Sequence, residues 1–287
     1  AVPGDSALLK EIGQAHLEKG SPTEARVYLK KAFENDPKND SVRNQLAKAE
    51  YQLGHFEKSL SLIEPISKDY QTDFDLARLF GDVLLALGKC EEAKTVLLSA
   101  AIQNPSSLDT FLKVSDLLLE PSSLKKNLSD SKEFEELEKV LEQSLRKYPN
   151  DQQLILRQAD LKRLGGSINE ANQIYVQLAM ANSEQKDLPD WRVQFGLGLT
   201  SAALGEFEIG LAALQDAAYN QPNKLPVLHA LAEAYLYADL DVKALQSAKS
   251  ALKSAPREID NLVWFARFNS ENNRLEEALQ TLQEARQ

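Results

Sequence analysis

Residues 74–107 read FDLARLFGDVLLALGKCEEAKTVLLSAAIQNPSS, and this stretch decides the fold. Apolar residues recur at helical spacing on both sides of Gly88, a residue that tolerates left-handed backbone and ends a helix. Pro105 closes the stretch, because proline cannot continue a helix and restricts the residue before it. The stretch therefore predicts one helix–turn–helix unit.

The same unit recurs along the whole chain. When each unit is numbered from its first residue, units begin near residues 6, 40, 74, 108, 152, 191, 225 and 259. Position 8 is small in every unit, at Gly13, Ala47, Gly81, Ser115, Ala159, Gly198, Ala232 and Ala266. A small residue lets neighbouring helices approach closely, and leucine there would overpack at a typical cost of about 1–3 kcal/mol.

Three further columns support this frame. Position 15 favours residues that accept left-handed backbone, namely Gly20, Gly54, Gly88, Gly166, Gly205, Asp239 and Asn273. Position 20 is most often alanine, at Ala25, Ala93, Ala171, Ala244 and Ala278. Position 32 is most often proline, at Pro37, Pro105, Pro149, Pro222 and Pro256. No strand-like alternation bounded by hairpin turns interrupts them, so the sequence predicts an all-α array.

The small residue at position 8, alanine at 20 and 27, and proline at 32 resemble the tetratricopeptide repeat. The resemblance covers nearly the whole chain, although the family's aromatic residue at position 4 is absent from several units. It implies a right-handed α-solenoid, a superhelix of about eight units forming a single domain over residues 1–287. It also implies a concave groove lined by the first helix of each unit.

Two units are longer than the others. The fourth carries an insertion near residues 121–132, which is polar with turn signals and predicts a loop. A shorter extension near residues 183–190 predicts a flexing point between the fifth and sixth units.

Composition excludes some classes of function. The chain has 33 Lys and Arg against 43 Asp and Glu, a net charge of -10, which argues against nucleic-acid binding. One Cys excludes an internal disulfide framework and a cysteine-based zinc site. No apolar run is long enough to span a membrane. Composition leaves open whether the protein is cytoplasmic or exported.

No local motif indicates an enzyme, a cofactor or a metal site. The three histidines lie in different units without a metal-ligand spacing. Gly196-Leu197-Gly198 lacks the preceding strand of a phosphate loop and is interpreted as helix packing. Cys90 stands where Phe56 and Phe207 stand in other units, which favours a small buried residue over a reactive thiol.

By resemblance, positions 2, 5, 9, 12 and 13 of each first helix face the groove. In units three and four these positions hold the acidic residues Asp75, Asp82, Asp109, Asp116 and Glu120, with Arg78 as the one base. Such a surface attracts a cationic segment, and a solvated acidic face is an equally good interpretation.

In units six to eight the groove positions are mainly apolar: Phe195, Leu199, His229, Leu236, Tyr237 and Val263. An apolar patch with an aromatic rim often marks an interaction site, so we expect a partner segment here. The alternative is that a tightly curled array or the insertion covers the patch.

Some members of the family bind a carboxylate terminus through basic and amide side chains. Lys10 fits that pattern, but Gln14, Gln45, Arg78 and Asp82 stand at the other positions. A carboxylate at Asp82 repels such a ligand, so this mode of binding is disfavoured.

The sequence favours a non-enzymatic scaffold that binds a protein or peptide segment in its groove. The alternative is the scaffolding segment of a larger enzyme or of an envelope or secretion assembly protein. RNA binding by a related repeat is opposed by the period and by the charge. Association of two copies through end repeats is left open.

Overall fold

The computed structural model describes residues 5–119, 131–184 and 190–285, and all regular structure in this part of the chain is helical. The helices follow one another in pairs: α1 (Ser6–Glu18) and α2 (Pro22–Asn35), α3 (Asp40–Gln52) and α4 (Phe56–Ile63), α5 (Phe74–Ala86) and α6 (Cys90–Gln103), α7 (Leu108–Leu119) and α8 (Lys132–Lys147), α9 (Gln152–Leu164) and α10 (Ile168–Glu184), α11 (Trp191–Ala203) and α12 (Phe207–Asn220), α13 (Leu225–Tyr237) and α14 (Asp241–Ser254), α15 (Ile259–Glu271) and α16 (Leu275–Ala285). A 3₁₀ helix, Glu64–Gln71, extends α4. The fold class is an all-α solenoid of helix–turn–helix units.

The first helix of each hairpin begins at the residue where the repeat frame restarts. Acidic and amide side chains before several of these helices explain the sharp starts. Asp73 accepts a hydrogen bond from the backbone N–H of Leu76, and Asn39 accepts one from Val42. Such caps satisfy N–H groups that have no partner within the helix.

The turns have the backbone that position 15 predicts. Glycine takes a positive φ at all five of its predicted turn positions, from 72° at Gly20 to 85° at Gly166. Asp239 and Asn273 do the same with φ of 56° and 58°. The left-handed turn is thus confirmed in seven hairpins, and position 15 of the fourth hairpin lies outside the described residues.

Position 8 is small because a leucine from the second helix fills the space beside it. A Cβ atom built on Gly81 lies 2.4 Å from Cδ2 of Leu97, and one built on Gly198 lies 2.5 Å from Cγ of Leu214. Contacts this short require the neighbouring side chain to move. The column therefore records the close approach of two helices that the sequence predicts, and the structure identifies position 24 as the partner of position 8.

Position 24 also shows what the stacking of hairpins buries. In the first seven hairpins its residues are at most 4% exposed: Leu29, Ile63, Leu97, Leu141, Tyr175, Leu214 and Ala248. In the last hairpin the corresponding Leu282 is 48% exposed. Position 3 shows the same contrast for the first hairpin. Its Leu8 is 41% exposed, whereas Val42 and Val227 at this position of later hairpins are fully buried.

The chain divides into two compact units, Ala1–Leu118 with Glu135–Lys147 and Leu119–Phe134 with Tyr148–Gln287. Successive helices pack on one another from α1 to α6 in the first compact unit and from α9 to α16 in the second. That all eight hairpins form a single domain stays a prediction. Most of the insertion near residues 121–132 and of the extension near 183–190 lies outside the described residues.

One expectation about the helix junctions is wrong. Cys90 begins α6 with its side chain exposed rather than buried. Phe207, at the same position of its hairpin, is also 49% exposed. Position 17 opens the second helix beside the turn, at the edge of the hairpin, so its side chain is not enclosed in the core.

Candidate functional site: the first-helix surface

The first helices α1, α3 and α5 enclose a cleft of about 220 Å³ in the first of the two compact units. Its walls are largely polar, with Gln14 and Glu18 from α1, Asn44 and Lys48 from α3, and Arg78 from α5. Except for Gln45 and Leu79, every lining residue occupies one of the positions 2, 5, 9, 12 and 13. The cleft is therefore built from the positions that the family resemblance assigns to the groove.

A chain of amide hydrogen bonds fixes the side chains in this cleft. Gln45 donates through Nε2 to Oε1 of Gln14 at 2.9 Å, and Gln14 donates through Nε2 to Oε1 of Glu18 at 3.0 Å. Because each amide is oriented by its neighbour, Oε1 of Gln45 is the acceptor at the end of the chain. That oxygen is shielded from solvent and has no hydrogen-bond partner in the described part of the chain.

An unpaired amide oxygen in this position has an energetic cost. Leaving a buried acceptor unsatisfied costs about 1–3 kcal/mol, so a donor that reaches it after a small side-chain rotation recovers that energy. Extended peptide backbone offers such donors at regular spacing. The cleft thus has the chemistry to hold main-chain N–H groups.

The acidic residues of the third and fourth hairpins do not form a uniform acidic face. Asp82 is buried, and Lys113 donates to its Oδ1 at 2.9 Å while Nη1 of Arg78 lies 3.7 Å from Oδ2. Lys113 also pairs with Asp109 at 2.9 Å. Asp75 and Asp116 are exposed. Glu120 lies outside the described residues.

Lys113 remains charged in this arrangement. Burial lowers its pKa, but hydrogen bonds to Asp109 and Asp82 and the charges of both carboxylates outweigh burial, so the pKa is raised. Lys113 stands at position 6, which is not a groove position, so the groove pattern does not select it. Its spacing of four residues from Asp109 was the available signal.

The apolar groove residues predicted in the sixth to eighth hairpins are divided between core and surface. Phe195 is only 9% exposed and packs in a cluster with Leu214 and Val227, with Leu199 partly buried against it. Leu236 is also partly buried, against a neighbouring cluster. An aspartate at Phe195 would therefore report on stability as well as on binding.

Tyr237 is the most exposed of these predicted residues, at 74%. Its ring stacks on that of Phe207, with the centroids 5.8 Å apart. Val263 is half-buried on α15. The two exposed rings lie at the turns of adjacent hairpins, and the structure brings Tyr237 together with Phe207, a residue that the sequence analysis did not assign to the groove.

His229 belongs to a network that links α13 to α15. Its ring stacks on Trp264 with centroids 3.7 Å apart, and Nε2 lies 2.8 Å from Oδ1 of Asn261. Nδ2 of Asn261 donates to the carbonyls of Ala251 and Ala255, so its Oδ1 is an acceptor. His229 therefore carries its proton on Nε2.

Two further contacts complete this network. Trp264 donates through Nε1 to Oε1 of Glu233 at 3.1 Å. Burial lowers the pKa of His229; the hydrogen bond to Asn261 opposes this shift and the charge of Arg267 adds to it. The imidazole is consequently neutral near pH 7 and acts as a packing and hydrogen-bonding group.

Position 9 of the fifth hairpin holds a buried carboxylate. Tyr175 donates its hydroxyl to Oδ1 of Asp160 at 2.7 Å, and the guanidinium groups of Arg163 and Arg157 lie 3.8 and 3.7 Å from the carboxylate. Burial raises the pKa of Asp160 against the attraction of both arginines. Burial and the charge of Asp160 raise the pKa of Tyr175, so this phenol stays protonated.

Neither a metal-binding cluster nor a membrane-spanning helix occurs among the described residues. Over residues 5–119, 131–184 and 190–285, no group of three His, Cys, Asp or Glu side chains is arranged to hold a metal ion. Within the same ranges, no helix is both long and apolar enough to cross a membrane.

Comparison with known proteins agrees with this architecture. The sequence profile of the tetratricopeptide repeat matches residues 16–79. The TPR repeat-containing protein YpiA of Bacillus subtilis (strain 168) is 23% identical over 270 residues, which are 86% of this chain and 63% of that protein. The chain therefore spans less than two thirds of the length of this relative.

Solved structures share the fold. A tetratricopeptide repeat protein from Parabacteroides merdae superposes with a TM-score of 0.55 at 15% identity, covering 96% of this chain and 98% of that one. Human IFIT1, in a dimer with m7Gppp-AAAA, gives a TM-score of 0.56 at 16% identity, covering 99% of this chain and 69% of that one. Likeness at this identity shows the fold alone.

Repeated helix–turn–helix hairpins with small residues at positions 8, 20 and 27 define a helical-repeat scaffold. Residues 16–79 match the tetratricopeptide repeat, and the other described hairpins follow the same helix–turn–helix frame. This fold is in general a protein-interaction scaffold, and the family is typically non-catalytic.

Proposed function

We propose that the protein is a non-enzymatic adaptor that holds an extended segment of a partner protein on its first-helix surface. The observation that supports this most is the cleft between α1, α3 and α5, where Oε1 of Gln45 has no hydrogen-bond donor among the described residues. The amide of Asn44 and the charges of Lys48 and Arg78 line the same cleft. These groups match the alternating donors and acceptors of an extended peptide.

The second compact unit has an aromatic and apolar surface of its own, which is proposed as a separate contact for a partner. Tyr237 and Phe207 are exposed, and His229, Leu236 and Val263 are partly accessible. Aromatic anchors supply much of the binding energy in protein interfaces. We therefore keep the predicted apolar set as proposed contacts, with Phe195 and Leu199 serving mainly to support the surface from below.

The acidic set is proposed as a secondary contact for cationic side chains of the partner. Asp75, Asp109 and Asp116 are exposed, whereas Asp82 is neutralised by Lys113 and Arg78. The scaffolding segment of a larger assembly remains the alternative function. Transfer of RNA binding from IFIT1 is not proposed, since the net charge of -10 opposes it.

A randomised peptide library, displayed on phage and selected on the immobilised chain, tests the proposal. We expect an enriched consensus whose binding falls about tenfold or more in the variant Asn44→Ala with Arg78→Ala, because charged and amide hydrogen bonds are lost. The control variant Lys31→Ala changes an exposed residue of α2 and should bind as the wild type does. Enrichment that is equal for all three proteins would contradict groove binding.

A further inference from the structure

A second cavity, of about 450 Å³, lies away from the first-helix surface, against the second helix α14. Its wall follows one face of α14 through Val242, Leu245, Gln246, Lys249 and Lys253. Residues three and four apart share a helix face, which explains why these side chains line a single cavity. Arg274, just before α16, closes one side.

The charge of this cavity is opposite to that of the chain. Lys249, Lys253 and Arg274 carry three positive charges against the one carboxylate of Asp241, in a protein with a net charge of -10. In the ranges that the structure describes, none of the three cations forms an ion pair. Elsewhere cations such as Lys113 and Arg26 are paired with carboxylates. The unneutralised cluster attracts an anion.

The main chain of Arg274 is fixed by hydrogen bonds, and its guanidinium is incompletely solvated. Its backbone N–H donates to the carbonyl of Asn269 at 2.8 Å, and its carbonyl accepts from Ala278 at 3.1 Å, directly after the left-handed turn at Asn273. The side chain is half-buried, and Nη1 is shielded from solvent without a hydrogen-bond partner among the residues that the structure describes. A desolvated cation with an unused donor gains more from an anion than a fully hydrated lysine does.

The remaining walls indicate what kind of molecule carries the anion. Val242 is 82% exposed and lies with Leu245 on the same wall, so the cavity offers apolar surface beside the cations. A nucleic-acid backbone repeats its phosphates along the strand, so a second phosphate beside the cations would be repelled by Asp241. A peptide can place an anionic side chain by Arg274 and an apolar side chain by Val242.

We propose that the cavity along α14 binds a partner segment that carries an oxyanion, either a phosphorylated side chain or clustered carboxylates, next to an apolar residue. Arg274 holds the oxyanion through its fork of donors, Lys249 and Lys253 neutralise its charge, and Val242 with Leu245 contacts the apolar residue. This site is independent of the proposed function of the first-helix surface.

Fluorescence anisotropy with three labelled peptides tests the proposal. All three peptides contain one leucine. The first has a central phosphoserine, the second has a central run of glutamates, and the third has a central unmodified serine. We expect the intact chain to bind at least one acidic peptide and not the serine peptide. The arm that binds distinguishes phosphate from carboxylate.

Matched variants connect binding to the cavity. Lys249→Gln with Lys253→Gln and Arg274→Gln should weaken binding of the acidic peptide about tenfold or more, as expected for the loss of charged hydrogen bonds. Lys243→Gln removes a cation from the same helix outside the cavity and should have little effect. If the triple variant unfolds, the lysine double variant, which changes only exposed residues, supplies the comparison.

Three outcomes overturn the proposal. They are no binding of either acidic peptide, binding that the cavity variants leave unchanged, and tighter binding of an oligouridylate at the same residues than of any peptide. The variant Asn44→Ala with Arg78→Ala should retain the acidic-peptide interaction. This arm separates failure of the groove proposal from failure of the cavity proposal.

Discussion

A Cβ atom built on Gly196 lies 2.2 Å from Cζ of Tyr175, so α11 carries glycine where α10 inserts a tyrosine ring. The ring is fully buried, and its hydroxyl donates to Asp160 at 2.7 Å. The hydrogen bond fixes the end of the ring, and the ring in turn excludes any side chain at Gly196. This contact links the fifth hairpin to the sixth.

Gly196→Ala is therefore expected to lower the free energy of unfolding by about 1–3 kcal/mol through overpacking. Alanine favours a helix over glycine by about 1 kcal/mol, so a net loss of stability in Gly196→Ala would show that the clash with Tyr175 dominates. Urea unfolding followed by circular dichroism measures it. In a double-mutant cycle with Tyr175→Leu, the cost of Gly196→Ala should shrink. Equal costs in both backgrounds would contradict the contact.

The ion pairs of Lys113 allow a comparison between a buried and an exposed partner. Lys113→Met leaves the buried carboxylate of Asp82 with only the longer contact to Arg78, and we expect a loss of about 1–3 kcal/mol in unfolding free energy. Asp109→Asn removes the exposed partner and should change stability by about 0.5 kcal/mol or less. Chemical denaturation measures the unfolding free energy of both variants. Equal losses would contradict a larger contribution from the buried partner Asp82.

The stacked pair of His229 and Trp264 predicts a pH dependence of stability. The folded-state pKa of His229 is below its ordinary value of 6.5, so the unfolded chain binds a proton more readily as the pH falls through 6.5. The wild type should therefore lose stability on acidification below this value, and His229→Gln should lack that component. Unfolding monitored by the fluorescence of Trp264, in a Trp191→Phe background, measures both proteins.

A matched control for this prediction is His16→Gln. His16 stacks on Tyr28 in α2, far along the sequence from Trp264. The difference in unfolding free energy between wild type and His229→Gln should narrow as the pH falls, whereas a difference that stays constant would exclude titration of His229 as its source.

The exposed position 24 of the last hairpin makes self-association through an end repeat a proposal that can be tested. Leu282 is 48% exposed, whereas the residues at position 24 of the other seven hairpins are at most 4% exposed. We expect concentration-dependent association of the wild type in sedimentation velocity, and loss of it in Leu282→Asp. Ile209→Asp changes an equally exposed apolar residue on α12 and should leave association intact. A monomer at every concentration would contradict this proposal.

The helical repeat was predictable because its determinants are local in sequence. Glycine, asparagine or aspartate at position 15 sets a left-handed turn, and the small residue at position 8 has its partner within the same hairpin, as Gly81 has Leu97. Each unit repeats these contacts, so one frame predicted the first residue of every first helix.

The candidate site was predictable only in part. The groove positions pointed to the surface that contains the first-unit cleft, but polar residues such as Gln14 and Asn44 look like an ordinary solvated helix face in sequence. The feature that distinguishes this surface is the hydrogen-bond chain from Gln45 through Gln14 to Glu18, which joins residues from different hairpins. Phe195 was expected in the groove, yet α12 and α13 supply the residues that cover it.

The amino-acid sequence by itself determined the class of the protein, its unit length and the places where helices end, since these follow from backbone preferences and contacts within one hairpin. The tertiary structure alone decided which polar groups are satisfied. In the described part of the chain, Asp82 is neutralised by Lys113, whereas an oxygen of Gln45 and a donor of Arg274 stay unpaired. The physical reason is that burial and hydrogen bonding depend on neighbouring hairpins, whose side chains no local pattern brings together.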